Sequence, residues 1–469
     1  MKGRNNDYIE DVTLSLLFPK KGVSDLSKDI SYRSFVPFTQ MEEFGRDPFV
    51  VTRGEGIRIY DDQGNSYIDG LSGVFVVGIG HGNKRVIDAM YAQMQELSFH
   101  PSMHSSNPVA LQYAKALLEF AGMDGVFFLS GGSEATETAM KMARQYHRQT
   151  GSPLKYKILA TYGSFHGCTA GATAVSGGWE RRTPYEPLTV GVIHLYPPYC
   201  YHCPFDQEYP QCGITCAKLV EYTIKNEDPD TVSAIILNPV MISSAGFIVP
   251  PPEFHQMVRA ICDRYNVLLI YDEVITGFGR LGEPFAADYF QVRPDILCCG
   301  KGMSSGYAPL AATLFTEEIR KAFAGKSGDR REFHHGHTYT GSPVACAAGH
   351  AVLQEIQERN AIANGRAMGE RIRTKLNAFK ERFDFIGDVR GIGLLQGMEF
   401  VQDKKTKKSF GPEVPIVKMI DQAARKRGLI MRCGPDYVAL APPLIITSPE
   451  VDKMLDILED SLVEVQGRL

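Results

Sequence analysis

Two periods of hydrophobic and polar residues alternate along the chain. Phe254, Met257, Val258, Ile261, Cys262 and Tyr265 recur at the spacing of a helix with one buried face, and "NVLLIYDEV" follows as a short apolar run. Such a run lacks the alternation of a half-exposed strand, so it predicts a strand buried on both faces, and helix and strand together make half of a crossover unit. Ala135, Ala139, Met142, Ala143 and Tyr146 mark another helical stripe, with Lys141, Arg144 and Arg148 on the opposite side. The pattern continues from about residue 100 to 345, which predicts an α/β domain with a mostly parallel central sheet covered by helices.

The flanking regions have a different pattern. Residues 1 to 55 form an arm with a short helix and a strand, and "IRIYDDQGNSYIDG" alternates about Asp61, Asp62, Gln63 and Gly64. That composition predicts a hairpin between Gly54 and Gly70. In the last part of the chain, helical periods at Ile416, Met419, Ile420 and Ala423 interleave with "GIGLLQGMEF" and "DYVALAPPLIIT", and an amphipathic helix through Val451, Met454, Leu455 and Leu458 closes the chain. The expected organisation is an arm of the small domain over 1–55, a large domain over 56–345 and a smaller α+β domain over 346–469.

Composition narrows the function classes. The chain has 469 residues without internal repeats, 44% hydrophobic and 22% charged, which suits a globular protein with a large core and more than one domain. Its net charge of -4 comes from dispersed residues, so no basic patch points to nucleic acid. No apolar run approaches the roughly 20 residues that span a bilayer. The N-terminal segment, with Lys2, Arg4, Asp7, Glu10 and Asp11, has no secretory pattern, and a cytoplasmic location is expected. Ten cysteines then imply reduced thiols. Cys200, Cys203, Cys212 and Cys216 have a spacing at which four thiolates could close a zinc tetrahedron. They lie among Pro197, Pro198 and Pro210, in a surface excursion where free or loop-stabilising cysteines are the competing reading, and no metal is expected.

Three elements carry chemistry. In "ILCCGKGM" an apolar run ends at Gly300, Lys301 and Gly302. A lysine at the end of a buried strand can lose part of its hydration, which lowers its pKa and makes its amine a nucleophile towards an aldehyde; the alternative is a solvated loop lysine. Asp272 ends the apolar run "VLLIYD", 29 positions earlier. The two strand ends can be neighbours in a parallel sheet, where ligands bind outside the carboxyl ends. A carboxylate there can pair with a pyridinium nitrogen and keep it protonated, or it can cap a helix. In "FLSGGSEATETAMKMAR" a strand gives way to Gly131, Gly132 and Ser133 before a helix, and exposed amides at the positive end of a helix bind phosphate.

With these elements on the page, the sequence resembles the class III aminotransferases of the ω-aminotransferase type, which use pyridoxal phosphate. The resemblance rests on "YIDGLSGVFVVGIGHGN", "SGGSEATETAMKMAR", "YDEVITGFGRLG", "CCGKGMSSGYAPLAA", "HGHTYTGSPVACAA", "DVRGIGLLQGMEF" and "MRCGPDYVALAPPLIIT", in that order, from about residue 35 to the C-terminus. It implies fold-type I, and a homodimer or dimer of dimers with sites at the subunit interface. By the resemblance Lys301 is the Schiff-base lysine and proton carrier, Asp272 the partner of the pyridine nitrogen, and Val274 the residue against one ring face. Gly132 and Ser133 match phosphate ligands, and Thr338 matches one supplied by the neighbouring subunit. Arg432, ten residues before Pro442, matches the pocket arginine of pyruvate-using relatives, where a planar guanidinium captures a carboxylate or sulfonate; a salt bridge in the C-terminal domain is its alternative. Phe75 matches an aromatic of the substrate pocket, with ordinary core as its alternative.

The chain also departs from the family pattern. Phe165 stands where a tyrosine usually stacks on the ring; the aromatic face is kept and the hydroxyl is lost. His166 is expected to be structural rather than a general base. Gly131 replaces a frequent serine, and Asn238 replaces the glutamate that pairs with the mobile arginine in relatives using glutamate or 2-oxoglutarate. An amide cannot form that ion pair, although it can still hydrogen-bond a guanidinium. The resemblance therefore implies ping-pong transfer of an amino group from an ω-amino acid or amine to an oxo acid, with pyruvate as the preferred acceptor. Its rivals are another reaction on the same cofactor, such as a decarboxylating transamination, aminomutation or racemisation, and a non-catalytic cofactor-binding protein.

Overall fold

The structure is a computed structural model that describes residues 33–469 apart from 244 and 245; of Ile242 and Ser243 only the backbone is described. The part of the expected arm before residue 33 lies outside the described residues. After it come the helix Met41–Arg46 and the strand Val51–Glu55. The expected hairpin is present: Arg58–Asp61 pairs antiparallel with Ser66–Asp69 across the polar turn. The second of these strands also runs parallel to Leu429–Ile430.

Seven strands form the central sheet: β1 Gly125–Leu129, β2 Lys157–Thr161, β3 Val192–Leu195, β4 Val232–Leu237, β5 Leu268–Asp272, β6 Ile296–Cys299 and β7 Ala311–Phe315. Their order is β1-β7-β6-β5-β4-β2-β3. β7 runs antiparallel to both of its neighbours, and all other neighbouring pairs are parallel. Every residue of β4 and β5 is buried, as expected for strands covered on both faces. Along β5 successive side chains serve opposite layers. Leu268 and Ile270 pack with Ala135, Ala139 and Met142 of the helix Gly132–Gln149, whereas Leu269 and Tyr271 pack with Phe254, Val258 and Ile261 of the helix Phe254–Tyr265. The two-residue repeat therefore assigns Asp272 to the layer of the first helix.

The C-terminal part builds its own antiparallel sheet from Ile386–Ile392, Leu395–Phe400, Tyr437–Leu440 and Arg432–Cys433. The closing helix Ser448–Gln466 packs beside Ile416–Lys426 and buries Val451, Met454, Leu455 and Leu458. The cysteine-bearing excursion is tied to this sheet by side chains: the Tyr199 hydroxyl donates to Glu399 Oε2 at 2.5 Å, and His202 Nε2 lies 2.5 Å from Glu399 Oε1. Cys200, Cys203, Cys212 and Cys216 are free thiols that line one crevice. Among the described residues no three histidine, cysteine or acidic side chains converge as a metal site would require.

Candidate active site

The carboxyl ends of the parallel strands β1, β2, β4, β5 and β6 open on one edge of the sheet, and Asp272, Val274, Lys301, Gly132, Ser133 and Phe165 lie at or just after those strand ends. β5 and β6 are direct neighbours, with Asp272 paired to Cys298 in register. Lys301 follows β6 in a short 3-10 turn at φ 44, a left-handed conformation that a side chain adopts at an energetic cost and that recurs at functional sites. Its amine forms no hydrogen bond or ion pair among the described residues. Burial pushes this amine down to about 8, because an ammonium loses its hydration there. Asp272 acts against that shift and Arg432 adds to it.

Asp272 is 5% exposed, and its carboxylate is held from three directions. The main-chain N–H of Val274 donates to Oδ1 at 3.1 Å, Asn238 Nδ2 donates to Oδ2 at 3.1 Å, and His166 Nδ1 lies 2.7 Å from Oδ2. A carboxylate only accepts, so the imidazole carries its proton on Nδ1. His166 Nε2 is buried without a hydrogen-bond partner among the described residues.

The helix Gly132–Gln149 begins at the end of β1, and no side chain caps it. Its first amides and its dipole therefore remain available to an anion. A Cβ at Gly131 would meet nothing within 4 Å, while one at Gly132 would come within 3.0 Å of Val274 Cγ1. Val274 also stands 3.6 Å from where a Cβ on Gly300 would be, so its isopropyl group fills the space between the helix start and the lysine turn. Ser133 Oγ accepts from the Cys168 N–H at 3.1 Å. Gly167, at φ 132, passes so close to Ser133 that a Cβ would overlap it.

Phe165 leaves β2 beside this cluster. Its main chain is clamped by Asn238, whose Oδ1 accepts from the Phe165 N–H at 3.2 Å and whose Nδ2 lies 3.3 Å from the Phe165 carbonyl. Asn238 is thus committed to Phe165 and Asp272. Thr338 lies exposed in a turn, and its side chain makes no hydrogen bond among the described residues. Arg432 lines a cavity of about 620 Å³ with Arg181, Trp179 and Tyr437. Phe75 does not line that cavity; it is 2% exposed, at φ 64, with its ring edge-on to Phe247 at 5.9 Å.

Three relationships escaped sequence reading: His166 against Asp272, Asn238 bridging Phe165 to Asp272, and Arg181 in the Arg432 cavity. The position of His166 just past a strand end was the available signal for the first. Asn238 likewise follows directly on β4. "WERR" gave none for Arg181, because it has the composition of any solvated turn.

An uncapped helix start with open space beside Gly131, a buried carboxylate and a partly desolvated amine match, in turn, the phosphate, the ring nitrogen and the aldehyde of pyridoxal phosphate. Comparison with known proteins agrees with that match. Residues 41–462 match the family model "Aminotransferase class-III". The uncharacterized aminotransferase YhxA of Bacillus subtilis is 37% identical over 88% of this chain and 92% of its own. The structure of an (S)-enantioselective omega-transaminase from Thermomicrobium roseum superposes with a TM-score of 0.89 at 35% identity, covering 94% of this chain and 98% of that one. A PLP-bound amine transaminase from an uncultivated Pseudomonas species gives 0.89 at 35% identity, over 92% and 99%. The chain is therefore a class III aminotransferase, a pyridoxal-phosphate-dependent transferase of fold-type I.

Proposed function

We propose that the protein transfers an amino group from an ω-amino acid or amine to an oxo acid, with pyruvate the preferred acceptor, and that Lys301 and Asp272 carry the chemistry. The observation behind this reading is the Lys301 amine, unpaired and held near 8, beside a triply anchored carboxylate and an uncapped helix start. When bound, pyridoxal phosphate supplies an aldehyde that accepts the amino group and a protonated ring that draws electrons from the breaking C–H bond.

The residues divide the remaining work. Lys301 would hold the cofactor through its amine and, when that amine is free, would move the proton at the substrate carbon as a general base and acid. Asp272 keeps the ring nitrogen protonated, and the amides of Gly132 and Ser133 take the phosphate, assisted by Thr338 of a second copy of the chain. Phe165 and Val274 hold the ring from either side. Arg432 binds the substrate's acid group. Donor and acceptor use the pocket in turn, so no second active site is required. Asn238, occupied by Phe165 and Asp272 and carrying no charge, cannot form an ion pair with Arg432, and this favours a monocarboxylate acceptor over 2-oxoglutarate. The protein works as a homodimer or dimer of dimers in the cytoplasm.

The test is a half-reaction screen. Purified holoenzyme is mixed with β-alanine, taurine, 4-aminobutyrate, a diamine and an arylalkylamine, and the visible band of the bound cofactor is followed. Bleaching by at least one donor, reversed by pyruvate and abolished in Lys301→Ala, is expected. Carbon dioxide release or loss of optical rotation without an oxo acid would replace this reading by a decarboxylating or racemising one.

A further inference from the structure

The cavity beside the site is lined by three arginines and by Glu180; Arg182 is engaged by His194 at 3.0 Å, and of the two that are left only Arg432 has a place in the reading above. The second is Arg181, whose guanidinium lies 4.6 Å from the centre of the Phe165 ring and 5.0 Å from that of Phe38. Contact with two aromatic rings fixes a planar cation without neutralising it. Among the described residues neither Arg181 nor Arg432 forms an ion pair, whereas Arg390 pairs with Asp388 and Glu399, and Arg259 with Asp263 and Asp295. The buried Arg432 Nε has no hydrogen-bond partner among the described residues.

The two cations also repel each other. Burial first, and then the charge of Arg432, lowers the Arg181 pKa. Glu180, in the same lining, opposes that shift only as the last of its causes, and two guanidiniums without an ion pair among the described residues favour the entry of an anion into a half-buried cavity. The cavity belongs to the reaction site: the charge of Arg432 reaches the Lys301 amine, and Cys168 lies within electrostatic reach of both Lys301 and Arg181. Phe165, proposed above as a stacking surface for the cofactor ring, carries Arg181 as well.

We propose that Arg181 is a specificity-determining residue that, with Arg432, clamps the oxyanion end of the amino donor, so that the enzyme selects ω-amino acids with a terminal carboxylate or sulfonate over neutral amines. The inference rests on the aminotransferase reading above and gives it a donor class. Two guanidiniums offer more donors than one carboxylate requires, and a sulfonate, with three oxygens, can engage both. The cavity of about 620 Å³ is ample for a donor of two to four carbons.

The experiment compares wild-type holoenzyme with Arg181→Gln and Arg181→Lys. Propanoate and ethanesulfonate, which carry the oxyanion but no amine, are titrated into each by calorimetry, and half-reaction rates are measured with β-alanine, taurine and 1-aminopropane. Arg181→Gln is expected to weaken binding of at least one unreactive anion about ten-fold or more, the effect of losing a charge-assisted hydrogen bond. It is expected to lower, to a similar degree, the ratio of the rate with the matching acid-bearing donor to that with 1-aminopropane, with partial recovery in Arg181→Lys. A loss confined to ethanesulfonate and taurine assigns a sulfonate donor, and one confined to propanoate and β-alanine a carboxylate donor. Unchanged anion binding and an unchanged rate ratio would overturn the proposal. Arg181→Met replaces the glutamine variant if that one loses the cofactor band. If the wild type turned over none of the donors, the ω-amino donor reading above would fail, whereas Arg181-dependent binding of the unreactive anions would still test the clamp.

Discussion

His166 Nδ1 lies 2.7 Å from Asp272 Oδ2, across 106 positions of sequence, with both side chains buried. The imidazole donates to the carboxylate oxygen that Asn238 also engages, so the carboxylate is positioned before any ligand arrives. His166→Phe removes a hydrogen bond to a charged acceptor, worth about 1.5–3 kcal/mol, and leaves Asp272 Oδ2 with Asn238 alone. Cofactor affinity, measured by titrating apo-protein with pyridoxal phosphate, should fall about ten-fold or more. His166→Gln, with an amide donor, should recover part of the loss. Equal affinity in all three proteins would mean that Asp272 is held well enough by Asn238 and the Val274 amide.

The strand ends that carry Asp272 and Lys301 were legible because a parallel sheet makes them so: continuous apolar runs mark buried strands, and the residue that ends each run sits at the edge where ligands bind. The helix of Gly132 was legible from its stripe of Ala135, Ala139 and Met142. His166 was expected to be structural, and its contact with Asp272 could not be derived, since it depends on how the loop after β2 crosses the ends of β4 and β5 rather than on any local pattern. Asn238 was noted for the ion pair it cannot form; its actual partners, Phe165 and Asp272, come from two other strands. Arg181 was invisible because its meaning lies in what surrounds it, two aromatic rings and a second arginine.

The Lys301 amine gives the clearest pH signature. It captures an aldehyde only as the free base, so the rate at which apo-protein takes up pyridoxal phosphate should rise about ten-fold per pH unit and level off above a midpoint of about 8. The neighbours set that midpoint with opposite signs. Arg432 disfavours the ammonium, so Arg432→Gln should move the midpoint upward; Asp272 favours it, so Asp272→Asn should move it downward. An unchanged midpoint in both variants would show that burial alone controls the amine.

Asn238→Asp tests the bridge to Phe165. The substitution keeps the shape but replaces the donor 3.1 Å from Asp272 Oδ2 with a carboxylate oxygen. Two carboxylates at that distance cannot both ionise without a large penalty, and the pair must retain a proton. The variant should bind pyridoxal phosphate more weakly than wild type at neutral pH, because an Asp272 that shares a proton is a poorer partner for the ring nitrogen. Asn238→Ala, which removes the amide without adding charge, should be milder. The opposite order, with the alanine variant worse, would make the clamp on Phe165 the dominant contribution of Asn238.

Glu273, next to Asp272 but facing the opposite layer, should dominate one part of the stability profile. Its fully buried carboxylate accepts from the Ala286 N–H at 2.5 Å, the Ala287 N–H at 2.8 Å and the Thr276 hydroxyl at 2.9 Å, yet burial still raises its pKa to about 7. The folded chain therefore holds this proton more tightly than the unfolded chain, whose group titrates near the ordinary glutamate value of 4.5. The stabilisation from the bound proton is complete below that value and is lost as pH rises through about 7. Glu273→Gln has no proton to lose and keeps one acceptor for the Ala286 and Ala287 amides. The melting temperature of the variant relative to wild type should thus become more negative as pH is lowered from 7.5 to 5, the range containing the folded-state value of about 7. A difference that does not change with pH would show that Glu273 keeps its charge throughout, held by its three donors against the cost of burial.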